Sequence, residues 1–86
     1  MLKRKVILGD LEGIHARNSA KIVMICRDTE AFVRLEYMGE AADGGNILEI
    51  MSLKARYGDE ILVTTDGLQE QKAMEEIEKV LGDSMI

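Results

Sequence analysis

The chain has 86 residues, enough for one small domain and not for two, and residues 1–86 are read as that domain. With 31% charged residues and a net charge of −5, it is a poor match for nucleic-acid phosphate or an anionic membrane surface. No segment approaches the roughly 18 apolar residues of a membrane span. The N-terminus MLKRKVILGD has a basic start but an apolar run before Gly9 and Asp10 that is too short for a signal peptide, so the expected location is the cytoplasm.

Proline and tryptophan are absent, and the aromatics are two tyrosines and one phenylalanine. The core must therefore be aliphatic. Cys26 is the single cysteine, which excludes an intramolecular disulfide, and its place on an apolar helix stripe makes it a small buried hydrophobe. One cysteine and one histidine fall short of a zinc ligand set, so neither a metal site nor a cofactor is expected.

In chain order, residues 2–8 (LKRKVIL) alternate loosely, with Leu2, Arg4, Val6 and Leu8 on one side, and predict a strand. Residues 16–28 suit a helix whose core stripe is Ser19, Ile22, Val23 and Cys26. Residues 31–38 alternate again, with Val33, Leu35 and Tyr37 inward. Gly39 and Glu40 then turn into a short strand near 40–43. Asn46 followed three residues later by Glu49 is close to a capping box and opens a short helix over 47–53. Residues 60–65 form a last strand with Ile61 and Val63 inward. Asp66 is expected to cap the final helix with Gln69 at its third position. Its buried stripe is Ala73, Ile77, Val80 and Leu81, with Met74 at the edge, and Gly82 closes it. The order β-α-β-β-α-β-α suits an α+β fold, an antiparallel sheet with its helices on one face. The other face would carry Lys3, Lys5, Arg34, Glu36 and Thr64 to solvent.

The only histidine, His15, directly precedes the first helix in GIHAR, residues 13–17. The first N–H groups of a helix lack intrahelical acceptors and, with the macrodipole, make a site for anions. Arg17 adds a permanent cation with several donors. An imidazole near neutral pH is both a nucleophile and a leaving group. Together these residues could receive and release a phosphoryl group. A lone histidine at a helix start is by itself more often a cap or a surface residue.

GIHAR resembles the active-site signature of the HPr family, the histidine-containing phosphocarriers of the bacterial phosphoenolpyruvate-dependent phosphotransferase system. The family pattern is glycine, an aliphatic residue, histidine, a small residue, arginine and usually proline. The segment ILEIMSLKARYGDE from Ile47 is similar to the family's second-helix region, and Asp66-Gly67 followed by an acidic helix is similar to its last element. The resemblance covers essentially the whole chain. It implies an open-faced β-sandwich, a four-stranded antiparallel sheet covered on one face by three helices. It implies that His15 accepts a phosphoryl group on Nδ1 from phosphorylated enzyme I and passes it to an enzyme IIA, with Arg17 stabilising the transfer. The backbone N–H groups of Ala16 and Arg17, and an extra one from Asn18, would hold the phosphate. Such a chain is a monomeric carrier and not a turnover enzyme.

Two positions depart from the pattern. Asn18 replaces the usual proline, which should loosen the first helical turn slightly, so that restoring proline would stabilise it. Asn46 replaces the regulatory serine of many family members and has no hydroxyl to phosphorylate. A second helix face, Arg17, Ala20, Met24 and Arg27, lies away from the core stripe. With Lys21 and with Ile47, Leu48 and Met51 of the short helix it would form an apolar partner-binding patch rimmed by cations. Leu48 and Met51 could equally be core. Glu49 is less expected beside an acidic partner and hints at a nitrogen-related branch. The runner-up function is a regulatory interaction protein of the same fold, whose phosphorylation gates binding. A third is an unrelated binding module with a chance GIHAR.

Overall fold

The structure, a computed structural model, describes residues 1–82. Its elements are β1 (Leu2–Ile7), α1 (Ala16–Thr29), β2 (Phe32–Tyr37), β3 (Glu40–Asp43), α2 (Ile47–Ser52), β4 (Glu60–Asp66) and α3 (Glu70–Gly82). The strands form one antiparallel sheet in the order β1-β4-β2-β3. Helices α1 and α3 pack side by side, α3 lies on β1 and β4, and α2 rests on α1 and β3. The expected open, one-side-covered sheet is thus what the chain forms.

The alternation in the strands decides which face is covered. Val6, Val33, Leu35, Ile61 and Val63 point beneath the helices and are buried, with Leu8 just beyond β1. Ile22, Ile25, Ile50, Met74, Ile77 and Leu81 meet them from the helices. Each such side chain stabilises the fold by about 1.5–3 kcal/mol relative to exposure. The helix stripes differ from the spacing-based ones by about one residue. Ile25 is in the core where Val23 is only half-buried, and Met74 is fully buried where Val80 is half-buried. α1 and α3 lean on each other, and α3 also lies on the sheet, so each buries a wider arc than a single stripe.

On the open face, Lys3 and Arg34 are exposed as expected, but Thr64 is buried. It sits on the interior strand β4 with Lys3 on one side and Arg34 on the other in register. Their long aliphatic stems cover it. The start of α3 also differs from expectation. Asp66 is still in the sheet, paired with Phe32, and Gln69 supplies the carbonyl that accepts from the Ala73 N–H. The carboxylate of Glu70 accepts from the Gly67 N–H at 3.2 Å and from the N-terminal amino group at 2.9 Å. Gly82 is the last residue of α3 and of the described chain, so its expected role in closing the helix lies at the limit of the described residues.

The capping of α2 is as expected. Asn46 Oδ1 accepts from the Leu48 and Glu49 N–H groups, both at 3.1 Å. Glu49 reaches back, accepting from the Asp43 N–H at 2.9 Å and from Asn46 Nδ2 at 3.2 Å. Glu49 thus has a local task in bracing the β3–α2 turn. Asn46→Ala is expected to lower stability by about 1 kcal/mol, read as a lower urea midpoint with an unchanged slope.

Candidate functional site

The turn after β1 prepares the start of α1. Gly13 takes φ +70°, and a Cβ on it would stand 2.6 Å from the Ala55 carbonyl oxygen, so backbone packs directly on backbone there. The Ile14 N–H donates to that same carbonyl at 3.0 Å, and the Gly13 N–H donates to the Asp10 carbonyl at 2.9 Å. His15 then continues the chain in extended conformation as the N-cap of α1.

Both ring nitrogens of His15 are engaged. The Arg17 N–H donates to Nδ1 at 3.2 Å, and Nε2 lies 2.8 Å from Asp10 Oδ2. A backbone amide can only donate and a carboxylate can only accept. The neutral ring therefore carries its proton on Nε2 and a lone pair on Nδ1, and that lone pair points at the helix N-terminus.

Asn18 fixes this geometry from below. Its side chain is buried, with Oδ1 accepting from the His15 N–H at 2.9 Å. Its Nδ2 donates to the Gly13 carbonyl at 2.8 Å and approaches Asp10 Oδ2 at 3.5 Å. Its side chain is therefore not available to a phosphate. This overturns the expectation that proline would improve position 18. Asn18→Pro would leave a buried carbonyl without its donor and the His15 N–H without its acceptor. The cost is about 2–4 kcal/mol against a gain of at most about 1 kcal/mol. A clearly lower urea midpoint is expected, and an unchanged one would mean that the first turn does not depend on this bracing.

Asp10 is only 4% exposed. Burial acts to raise its carboxyl, but the Glu12 amide, the His15 ring and the Asn18 amide outweigh it and hold the group below the usual carboxylate range. Asp10 is an anion at neutral pH. Asp10, Glu12 and His15 also place ligand-type atoms within 4.8 Å of one another. Both Asp10 oxygens are already engaged and Glu12 is exposed, so we assign no ion to the trio.

A pocket of about 190 Å³ opens over this arrangement, lined by Asp10, His15, Arg17, Asn18, Lys21, Lys79 and Val80. Arg17, Lys21 and Lys79 are all exposed and bring three cations around one imidazole in a chain of net charge −5. The structure thus brings together four of the expected residues, His15, Arg17, Asn18 and Lys21, and Ala16 is exposed at the same helix start. It adds Asp10 and Lys79, which the sequence pattern did not single out. Asp10 lies in the turn after β1, and Lys79 lies on the far helix.

The remaining surface residues divide. Met24 is 57% exposed and lines the adjoining groove between α1 and α3 with Lys21, Lys79 and Val80. Leu48 is 73% exposed and borders a separate depression beside β3, and Met51 is also exposed, so neither is core. Arg27 is exposed, and Ala20 and Ile47 are half-buried. The Cys26 thiol is pushed up to about 11 by burial and by the Asp43 carboxylate, which keeps it protonated and inert at neutral pH. Among the described residues, no helix is long and apolar enough to cross a membrane.

Comparison with known proteins places the chain in a family. The family profile described as "PTS HPr component phosphorylation site" matches residues 2–83. The phosphocarrier protein HPr of Cupriavidus necator is 33% identical over 75 residues, covering 87% of this chain and 84% of that protein. The crystal structure of a phosphocarrier HPr from Bacillus anthracis superposes with a TM-score of 0.86 at 26% identity, covering 93% of this chain and 95% of that one. A structure of HPr from Thermoanaerobacter tengcongensis shares the fold, with a TM-score of 0.85 at 21% identity over 99% and 100% of the two chains. The profile runs from β1 to the end of α3 and takes in the histidine at the helix start: this chain belongs to the HPr family of phosphocarriers of the phosphotransferase system.

Proposed function

We propose that the chain takes a phosphoryl group onto His15 Nδ1 from phosphorylated enzyme I and gives it to a histidine of an enzyme IIA. The observation that carries this is the ring's orientation, with the Nδ1 lone pair held 3.2 Å from the Arg17 N–H at the N-terminus of α1. In the acceptance step the Nδ1 lone pair attacks phosphorus. The bond from phosphorus to the donor's nitrogen breaks, and its electron pair returns to the donor ring. The phosphoryl oxygens then lie over the first turn of α1, where the Ala16, Arg17 and Asn18 N–H groups and the Arg17 guanidinium can receive them. Donation to the next histidine is the same displacement in reverse. The chain itself returns to its starting state only through its two partners, so it is a carrier and not a turnover enzyme.

Both partners must bring a histidine into the same pocket. The cations Arg17, Lys21, Lys79 and Arg27 would steer an acidic partner surface toward it. Ala20, Met24, Ile47, Leu48 and Met51 supply adaptable apolar contact beside them. Asn46 caps α2 without a hydroxyl, so serine-type regulation at this position is absent from the proposal.

The test is to supply phosphoenolpyruvate and enzyme I and to weigh the intact protein. A gain of one phosphoryl group that is lost in acid and stable in base is the expected result. No gain with a cognate enzyme I would favour the interaction-protein reading.

A further inference from the structure

We propose that Asp10 is the positioning residue of His15: its buried carboxylate holds the ring proton on Nε2, leaves the Nδ1 lone pair as the nucleophile, and stabilises the cationic ring that phosphorylation creates. This rests on the carrier role of His15.

The carboxylate is built into place. Its Oδ1 accepts from the Glu12 N–H at 2.9 Å, and its Oδ2 meets His15 Nε2 at 2.8 Å. Asn18 Nδ2 approaches Oδ2 from the interior, and the Asp10 carbonyl is tied by the Gly13 N–H. No other carboxylate meets the ring at hydrogen-bond distance among the described residues. The charged groups facing it are Asp10 and Glu12 from the β1–α1 turn, Arg17 and Lys21 from α1, and Lys79 from α3.

The step then balances without any proton leaving. A neutral ring protonated on Nε2 attacks phosphorus through Nδ1 and becomes a phosphoimidazolium that still carries the Nε2 proton. The Asp10 anion offsets that positive charge. When the phosphoryl group departs, the Nδ1–P electron pair returns to the ring, and the same neutral tautomer is restored. Without Asp10 only the Arg17 N–H facing Nδ1 would keep the proton off that nitrogen, where it blocks attack.

Two variants separate this role from a structural one. In Asp10→Asn the Glu12 N–H still requires an acceptor, so the amide oxygen takes the Oδ1 place and the NH₂ group faces Nε2. That group donates, so it pushes the ring proton toward Nδ1, against the Arg17 N–H. Asp10→Ala weakens the preference, leaving the Arg17 N–H as the remaining group that favours it. Asp10→Asn is expected to slow phosphoryl acceptance by about 100-fold and Asp10→Ala by about 10-fold. Stability should show the opposite order, because asparagine fills the site better. A merely structural Asp10 would make the rates track stability.

The ¹⁵N shifts of the imidazole report the tautomer directly. Phosphoramidate, a small chemical donor, reads Nδ1 nucleophilicity with no partner present. The wild-type ring is expected to hold its proton on Nε2, and the Asp10→Asn ring to shift it toward Nδ1. Should Asp10→Ala fail to fold, the Asp10→Asn tautomer decides alone. Unchanged tautomers, or both variants labelled at the wild-type rate by phosphoramidate, would overturn the proposal. Labelling of the wild type by phosphoramidate but not by enzyme I would instead overturn the carrier role. In that case the tautomer and chemical labelling still decide what Asp10 does to the ring.

Discussion

Replacing His15 with alanine is expected to abolish phosphoryl labelling and, separately, to destabilise the fold by about 1–3 kcal/mol. The two effects have different origins. Labelling fails because no other side chain at the helix start offers a nitrogen nucleophile. Stability falls because His15 is also the N-cap of α1, and alanine leaves the Arg17 N–H without its acceptor. Alanine also deprives the buried Asp10 carboxylate of its closest side-chain partner. A loss of labelling in His15→Ala alone could therefore be blamed on a loosened helix start. His15→Asn removes that ambiguity. Asparagine is a good N-cap, its carbonyl oxygen can accept from the first-turn N–H groups, and its amide is no phosphoryl acceptor. It is expected to unfold in urea close to the wild type and still to gain no mass with phosphoenolpyruvate and enzyme I. Persistent acid-labile labelling of a folded His15→Asn protein would place the phosphoryl group elsewhere.

What could be read from the sequence was local. Strands β1, β2 and β4 show their inward residues by alternation, and the cap of α2 is written in Asn46 and Glu49. The helix-start histidine and its arginine are two residues apart, so one turn of helix is enough to relate them. Most of the misses depend on contacts that no periodicity records. Thr64 is buried because of what flanks it on neighbouring strands, and Met74 because α3 leans on α1 as well as on the sheet. Asp10 shows no periodicity at all. It reaches His15 only because the chain turns back at Gly13, where backbone lies against the Ala55 carbonyl. The sequence signal that could have found it is an acidic residue within the short turn just before the histidine. Lys79 and Val80 join the pocket through the packing of α3 on α1, a relation that no short window contains. Asn18 differs from expectation because, as a departure from proline, it removes one constraint while its side chain supplies another.

Arg17→Ala is expected to slow phosphoryl acceptance and donation by about 10²–10³-fold while leaving stability within about 0.5 kcal/mol of the wild type. The separation arises from where the side chain stands. Arg17 is exposed on the first turn of α1, lines the pocket, and makes no ion pair among the described residues. Its backbone N–H, which the substitution keeps, continues to bond Nδ1 of His15. Removing the guanidinium thus leaves the cap intact and takes away charge and donors from the place where the transferring phosphoryl group develops its negative charge. Lysine restores the charge but not the planar fork, so Arg17→Lys should recover only part of the loss. Lys21 and Lys79 remain at the pocket rim and set a floor under the rate, since their field still attracts an anionic donor. Single-turnover transfer at low and at raised salt distinguishes the contributions. The Arg17 effect should persist at raised salt, because it acts at contact distance, whereas the contribution of the rim lysines should fade. Transfer by Arg17→Ala at the wild-type rate would mean that the helix N-terminus alone holds the phosphoryl group.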